Sequence, residues 1–189
     1  MQDEIFPDKE HFGRKNMDIS CAALYTSLKG QVDLLRMVLK EEGVRLNHIK
    51  PHGALYNLAA VDTNTAHVLI EVLKNIMLPV KLYVPYNSVI EKIAIQNNIP
   101  VKFEAFADRN YNDNGTLVSR VNKNAVIKNE EVLFKHVYSM ITSKKVITIS
   151  GNEIDILADT ICVHGDNPEA VNLIKYLNKK LLEKGILIK

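Results

Sequence analysis

The chain has 189 residues, 47% hydrophobic and 24% charged, a composition typical of a folded globular protein. Its 24 Lys and Arg residues nearly balance its 22 Asp and Glu residues, so the net charge is only +2. A charge this small creates no broad field for attracting nucleic acid or an anionic membrane, and we expect neither as a partner.

The two cysteines and the N-terminal segment indicate a cytoplasmic protein. Cys21 and Cys162 lie far apart without metal-ligand spacing, and we interpret them as buried thiols in a reducing compartment. The first residues are charged and lack the apolar core of a signal peptide. No apolar run approaches the roughly 20 residues that a membrane-spanning helix requires.

Apolar residues recur at helical spacing in five segments. We expect Gly43 to end the first helix, Asp62 to cap the second, and Ser88 with Glu91 to form a capping box at the third. The predicted helices cover residues 18–43, 62–76, 88–97 and 130–141, and a last helix opens at Asn167–Pro168 with Val171, Ile174, Leu177 and Leu181 inward.

Strands are predicted between most of these helices, at residues 46–50, 80–85, 101–107 and 160–164. Two further stretches are typical of hairpins. One turns at Asn114–Gly115, and the other covers residues 146–157. Alternating strands and helices with right-handed crossovers predict a parallel sheet in one α/β domain.

Polar residues collect at the ends of three predicted strands, where the loops of a parallel sheet converge. In the first cluster, Lys50 and His52 surround Pro51, and Asn57 follows shortly after. A lysine beside a histidine can bind a carboxylate and exchange a proton near neutral pH. The alternative is a capped turn with exposed side chains.

The second cluster contains Glu104, Asp108, Arg109 and Tyr111. Glu104 interrupts an apolar strand, where a carboxylate needs a partner. Arg109 has a planar guanidinium that matches a carboxylate or a phosphate. A structural ion pair between Arg109 and Asp108 or Glu104 is the alternative.

The third cluster is His164 and Asp166, after an apolar strand. The two could form a metal pair, or a base with its orienting carboxylate. Asp166 could instead cap the turn before Pro168. His52 and His164 are the candidate ligands of an unknown divalent metal. The sequence has no GxxxxGK[ST] or GxGxxG loop, and therefore no standard nucleotide site.

The same three clusters resemble signature blocks of the LamB/YcsF-like family, in the family's order. Phe6–Pro7–Asp8 and Phe12–Gly13–Arg14 resemble a further family stretch, and Gln31 stands where the family has a glutamine. The blocks are KPHGALYN (50–57), EAFADRNY (104–111) with GTLVSR (115–120), and ICVHGDNPEAV (161–171).

The resemblance implies a partial (β/α) barrel, with parallel strands and flanking helices, related to the seven-stranded barrel of glycoside hydrolases and deacetylases. Residues 1–189 are then a single LamB/YcsF-like domain lacking the family's N-terminal strands. The implied activity is that of one component of 5-oxoprolinase, which cleaves 5-oxoproline to L-glutamate with ATP and together with B and C subunits. The candidate catalytic residues are Lys50, His52, Glu104, Asp108, Arg109, His164 and Asp166, and the candidate substrate-binding residues are Asn57, Tyr111 and Arg120.

Two other functions are compatible with the sequence. The first is a non-catalytic remnant that binds only the partner subunits, which the missing acidic first strand of the family favours. The second is a metal-dependent amide or deacetylase-type hydrolase, suggested by the barrel kinship and the histidines. The absence of that superfamily's Asp-Asp and HxxxH signatures argues against it. We expect six residues to converge on one mouth of the sheet, because each lies at or just past a strand end: Lys50, His52, Glu104, Arg109, His164 and Asp166.

Overall fold

The computed structural model describes residues 7, 10, 13–76 and 79–188. Phe6, Asp8 and Phe12, which contribute to the family resemblance, lie outside the described residues. The chain divides into two compact units, Met1–Lys102 and Phe103–Lys189. No described helix combines the length and the apolar character that crossing a membrane requires.

The described residues form helices and parallel strands in the order that the sequence predicts, with one helix added. The helices are α1 (Cys21–Glu41), α2 (Gly53–Ala59), α3 (Thr63–Lys74), α4 (Val89–Gln96), α5 (Glu130–Thr142) and α6 (Ala170–Glu183). The strands are β1 (His48–Ile49), β2 (Lys81–Val84), β3 (Val101–Phe106), β4 (Lys145–Ile147), β5 (Glu153–Asp155) and β6 (Thr160–Cys162).

The first unit contains the parallel pair β1–β2, with Ile49 opposite Leu82. These two side chains are buried, whereas the neighbouring His48 and Tyr83 are half-buried and stack with ring centroids 4.1 Å apart. Helices α1, α2 and α4 pack against α3. The predicted inward stripe of α3 is confirmed, since all its members are buried: Ala66, Leu69, Leu73 and Ile76.

Local capping chemistry sets the helix ends of this unit, as predicted. The Asp62 side chain accepts a hydrogen bond from the Thr65 N–H at 2.7 Å, at the start of α3. Ser88 and Glu91 form a complete capping box at α4. Gly43 lies just beyond the end of α1 with a φ of +66°, a conformation that glycine adopts without a steric penalty.

The second unit contains the parallel pair β3–β6, with Phe106 opposite Cys162, and the antiparallel hairpin β4–β5. Both predicted hairpins are confirmed; in the first, the Gly115 N–H donates to the Asn112 carbonyl oxygen at 2.9 Å. Helices α5 and α6 pack on each other. Their core consists of Ala107, Ile127, Leu133, Phe134, Val137, Leu173, Leu177 and Leu181.

One helix was missed, and two expectations were wrong. Helix α2 was not predicted, because seven residues are too few to show helical periodicity. In α6, Val171 and Ile174 are 62% and 40% exposed. The stripe that packs inward is Ala170, Leu173, Leu177 and Leu181, because it aligns three leucines on one face. Cys21 is exposed rather than buried, and Cys162 is half-buried.

Gly53 provides a test of local packing in the first unit. It begins α2 with a φ of +60°, and a Cβ there would lie 2.6 Å from the Gly13 carbonyl oxygen. Gly53→Ala combines left-handed backbone strain with backbone overlap, so we expect unfolding free energy to fall by about 2–4 kcal/mol in urea denaturation.

Gly43→Ala is the matched control for this substitution. Gly43 has a similar φ of +66°, but no atom lies within 4 Å of the position that a Cβ would take. We expect this variant to lose only the strain contribution, about 1 kcal/mol. Equal losses in the two variants would contradict the role of the Gly13 contact.

Candidate functional site

The parallel register of β3 and β6 brings two residues of the predicted clusters to the same edge of the second unit. Asp108 lies two residues beyond Phe106, and His164 lies two residues beyond Cys162, with which Phe106 is paired. Ala107 packs into the core beneath α5 and α6. Asp108 and His164 thus follow the paired ends of β3 and β6.

Asp108 and His164 form a close pair. The Asp108 Oδ1 lies 2.8 Å from the His164 Nδ1, and the Asp108 Oδ2 accepts the backbone N–H of His164 at 3.1 Å. The Asp108 side chain is 1% exposed and that of His164 is 25% exposed. The imidazole also stacks on Phe106, with centroids 5.3 Å apart.

This contact determines the chemistry available to the imidazole. When the carboxylate is ionised it only accepts hydrogen bonds, so this contact assigns the proton of a neutral ring to Nδ1 and the lone pair to Nε2. A histidine oriented through Nδ1 can exchange a proton with a reactant at Nε2. The orienting carboxylate is therefore Asp108, not Asp166, the partner considered from the sequence.

Asp166 is held by another side chain. Its Oδ2 lies 3.1 Å from the Nη1 of Arg120, in an ion pair whose side chains are 40% exposed for Arg120 and 29% for Asp166. In the turn before α6, the Asn167 side chain accepts the Glu169 N–H at 3.1 Å. A carboxylate and a guanidinium thus stand at the loop that contains His164.

Arg109 is part of the interior of the second unit. It is 5% exposed, and its guanidinium donates to the backbone carbonyl oxygens of Ala125 and Val118. Burial lowers the pKa of this guanidinium. Arg109 does not replace His164 as the partner of Asp108, since both oxygens of that carboxylate contact His164. A catalytic role for Arg109 stays a prediction.

Tyr111 and Glu104 are also buried. The Tyr111 hydroxyl oxygen accepts the Phe106 N–H at 2.8 Å, and burial raises the pKa of Tyr111 well above its ordinary value. Glu104 is 5% exposed and lies opposite Thr160, and its charge raises the Tyr111 pKa further. Their predicted roles, in substrate binding and catalysis, stay predictions.

The first cluster belongs to the first unit. Lys50 follows β1 and is half-buried, and the half-buried His52 is the N-cap residue of α2 without a capping bond from its side chain. Asn57 is exposed in the middle of α2. These residues and His164 lie in different units, so the predicted convergence on one mouth stays a prediction.

A further polar cluster was missed from the sequence. The Asp113 carboxylate accepts hydrogen bonds from the hydroxyls of Thr148 and Ser150 and, at 2.9 Å, from the Asn152 side chain. These bonds lower the pKa of Asp113. The two turn sequences were visible, at Asn114–Gly115 and around Gly151, but no local pattern indicated that the turns meet.

The candidate metal ligands His52 and His164 lie in different units, so a metal site that uses both stays a prediction. No group of three His, Cys, Asp or Glu side chains in the described part of the chain is arranged to hold a metal. ATP binding by this chain also stays a prediction. We therefore derive no step through a metal or ATP bound to these residues.

The half-buried His136 predicts a pH dependence of stability. Its Nε2 donates to the Arg109 carbonyl oxygen at 3.1 Å, and burial lowers its pKa to about 4 from an ordinary 6.5. Between these values the unfolded chain binds a proton that the folded chain does not. The free energy of unfolding is therefore highest above about pH 6.5 and falls by about 3 kcal/mol as the pH drops towards 4.

Urea denaturation between pH 7.5 and 4 measures this loss, and proton NMR of the imidazole measures the pKa. His136→Gln should reduce the pH dependence, whereas His67→Gln, at an exposed position of α3, should leave it intact. A His136 that titrates near 6.5 in the folded protein would refute the prediction.

Comparison with known proteins identifies the family of this chain. The sequence profile of the LamB/YcsF family matches residues 4–189. A Staphylococcus haemolyticus protein, named as the A subunit of 5-oxoprolinase, is 40% identical over 95% of this chain and 72% of its own length. A Pyrococcus horikoshii protein of the same name is 39% identical over 97% of this chain and 72% of its own length.

A solved structure extends the likeness to the fold. The crystal structure of a lactam utilization protein from Thermus thermophilus matches with a TM-score of 0.89 and 32% sequence identity. The match covers 99% of this chain and 74% of the other. The predicted fold class, parallel strands with flanking helices, is confirmed. With its sequence matched from residue 4 to the end and its fold shared, the chain belongs to the LamB/YcsF family.

Proposed function

We propose that this chain is the A subunit of an ATP-dependent 5-oxoprolinase and opens the lactam ring of 5-oxoproline to give L-glutamate together with B and C subunits. The names of the similar proteins support the substrate class. The observation that carries the proposal is the Asp108–His164 pair, because lactam cleavage needs a group that moves protons at the reacting atoms.

In the proposed reaction, His164 is the catalytic residue. Its Nε2 accepts a proton from a water molecule as the water oxygen bonds to the lactam carbonyl carbon. The carbon–nitrogen bond of the ring then breaks, and the same proton passes to the leaving nitrogen, which becomes the amine of glutamate. One water is consumed for each ring opened, and the imidazole returns to its neutral form.

Asp108 is a positioning residue in this proposal. Its carboxylate accepts both the ring Nδ1–H and the backbone N–H of His164, so it fixes the orientation and the tautomer of the ring. It also stabilises the imidazolium that forms when the ring takes up a proton. The stack on Phe106 limits rotation of the imidazole further.

Coupling to ATP suits the substrate, because a five-membered lactam is a stable amide. The free energy of ATP hydrolysis would drive the ring opening within the complex, and we assign no ATP-binding residue to this chain. Lys50, His52 and Asn57 remain candidates for contacts with the substrate or with the partner subunits. The B and C subunits complete the proposed enzyme.

Substitutions of the pair test the proposal. With the B and C subunits and ATP present, we expect His164→Asn to lower kcat for 5-oxoproline cleavage by about 10²–10⁴-fold, the usual contribution of general acid–base catalysis. Asp108→Asn should lower kcat and shift its pH profile, because an amide accepts less strongly from Nδ1–H. Glutamate release and ADP formation are the measurements.

His67→Asn is the control, since His67 is exposed on α3, and thermal unfolding reports whether each variant folds. A folded His164→Asn variant with the activity of the unsubstituted chain would remove the pair from the mechanism. A chain that binds the B and C subunits but gives no turnover in any form would instead support a non-catalytic binding role.

A further inference from the structure

The second unit contains two arginines, and their surroundings differ. Arg109 is 5% exposed and donates to backbone carbonyl oxygens. Arg120 has a 40% exposed side chain, and its Nη1 contacts Asp166. A guanidinium that faces solvent can receive a dissolved anion, whereas one enclosed by carbonyl groups cannot.

The backbone around Arg120 is held in place. The Asn122 N–H donates to the Ser119 carbonyl oxygen at 2.9 Å, and the Ala125 N–H donates to the Asn122 carbonyl oxygen at 3.1 Å. Two successive turns thus fix the loop, and the adjacent Val121 is 91% exposed. A change of partner at Arg120 therefore requires movement of side chains but not of the loop.

Arg120 shares its surroundings with one further cation and two carboxylates. The pKa of Arg109 is lowered most by burial and next by the positive charge of Arg120. The charges of Asp108 and Asp166 raise it. These four charged groups therefore act on one another. Asp108 is already bound to His164. Asp166 is thus the carboxylate that an incoming anion can replace at Arg120 without leaving the guanidinium unbalanced.

We propose that Arg120 binds the carboxylate of the lactam substrate and that Asp166 occupies this position until the substrate replaces it. The inference rests on the proposed function and adds the basis of selectivity, namely acidic lactams over neutral ones. Exposed ion pairs contribute little to stability, so the exchange costs little, whereas an arginine holds a carboxylate through two parallel hydrogen bonds.

The location suits a small substrate. Asp166 follows His164 by two residues in the same loop, so Arg120 stands beside the loop that contains the proposed proton acceptor. In 5-oxoproline, the carboxylate is attached to one of the two carbons that flank the ring nitrogen, and the other is the lactam carbonyl carbon. A carboxylate fixed at Arg120 would thereby limit the positions that the reacting carbonyl can take.

Titration calorimetry on the full chain tests the exchange with L-5-oxoproline and with 2-pyrrolidinone, the same lactam without a carboxylate. We expect Arg120→Gln to weaken 5-oxoproline binding by about 10–100-fold and to leave 2-pyrrolidinone binding unchanged. Arg120→Lys should give an intermediate loss for 5-oxoproline. Arg36→Gln, an exposed arginine of α1 paired with Asp33, is the matched control.

Asp166→Asn removes the competing carboxylate, so 5-oxoproline should bind about two- to fivefold more tightly. The gain should vanish in the Arg120→Gln background, because Asp166 and the substrate carboxylate then have no guanidinium to compete for. Weaker binding of 5-oxoproline to Asp166→Asn, an equal loss for both lactams in Arg120→Gln, or no binding to the unsubstituted chain would overturn the inference. Turnover with the B and C subunits separately decides the proposed function.

Discussion

The interaction on which the candidate site depends is the double contact of the Asp108 carboxylate with His164. One oxygen holds the imidazole and the other holds the backbone N–H, so a single buried side chain fixes the end of β6 against the end of β3. A buried carboxylate without such donors would be strongly destabilising. The same contact therefore holds the two strand ends together and orients the imidazole for the proposed chemistry.

The polar side chains of the second unit fall into a buried group and an exposed group. Arg109 and Tyr111 have polar atoms, but these are bound to the backbone, and both side chains belong to the packed interior. His164 and Arg120 retain exposed surface and can meet a reactant. Polar residues of the same sequence motifs thus differ in exposure, which residue type alone does not indicate.

Much of this could be predicted from the sequence, and the part that could not has a common cause. Capping residues such as Asp62 and Ser88 act within one turn, so their patterns are local and were recognised. The sequence also indicated Asp108 and His164 individually. Their pairing, and that of Arg120 with Asp166, joins segments far apart along the chain. For the first pair it depends on the register of β3 and β6, which no local pattern contains.

The Asp113 cluster has a consequence for local unfolding. Its carboxylate joins the turn at Asn114–Gly115 to the tip of the β4–β5 hairpin, and the Ile149 N–H donates to the Tyr111 carbonyl oxygen at 2.9 Å beside it. Two hairpin tips tied in this way open together or not at all. Amide hydrogens in both tips should then show one shared free energy of opening in hydrogen exchange, as a single cooperative unit of the fold.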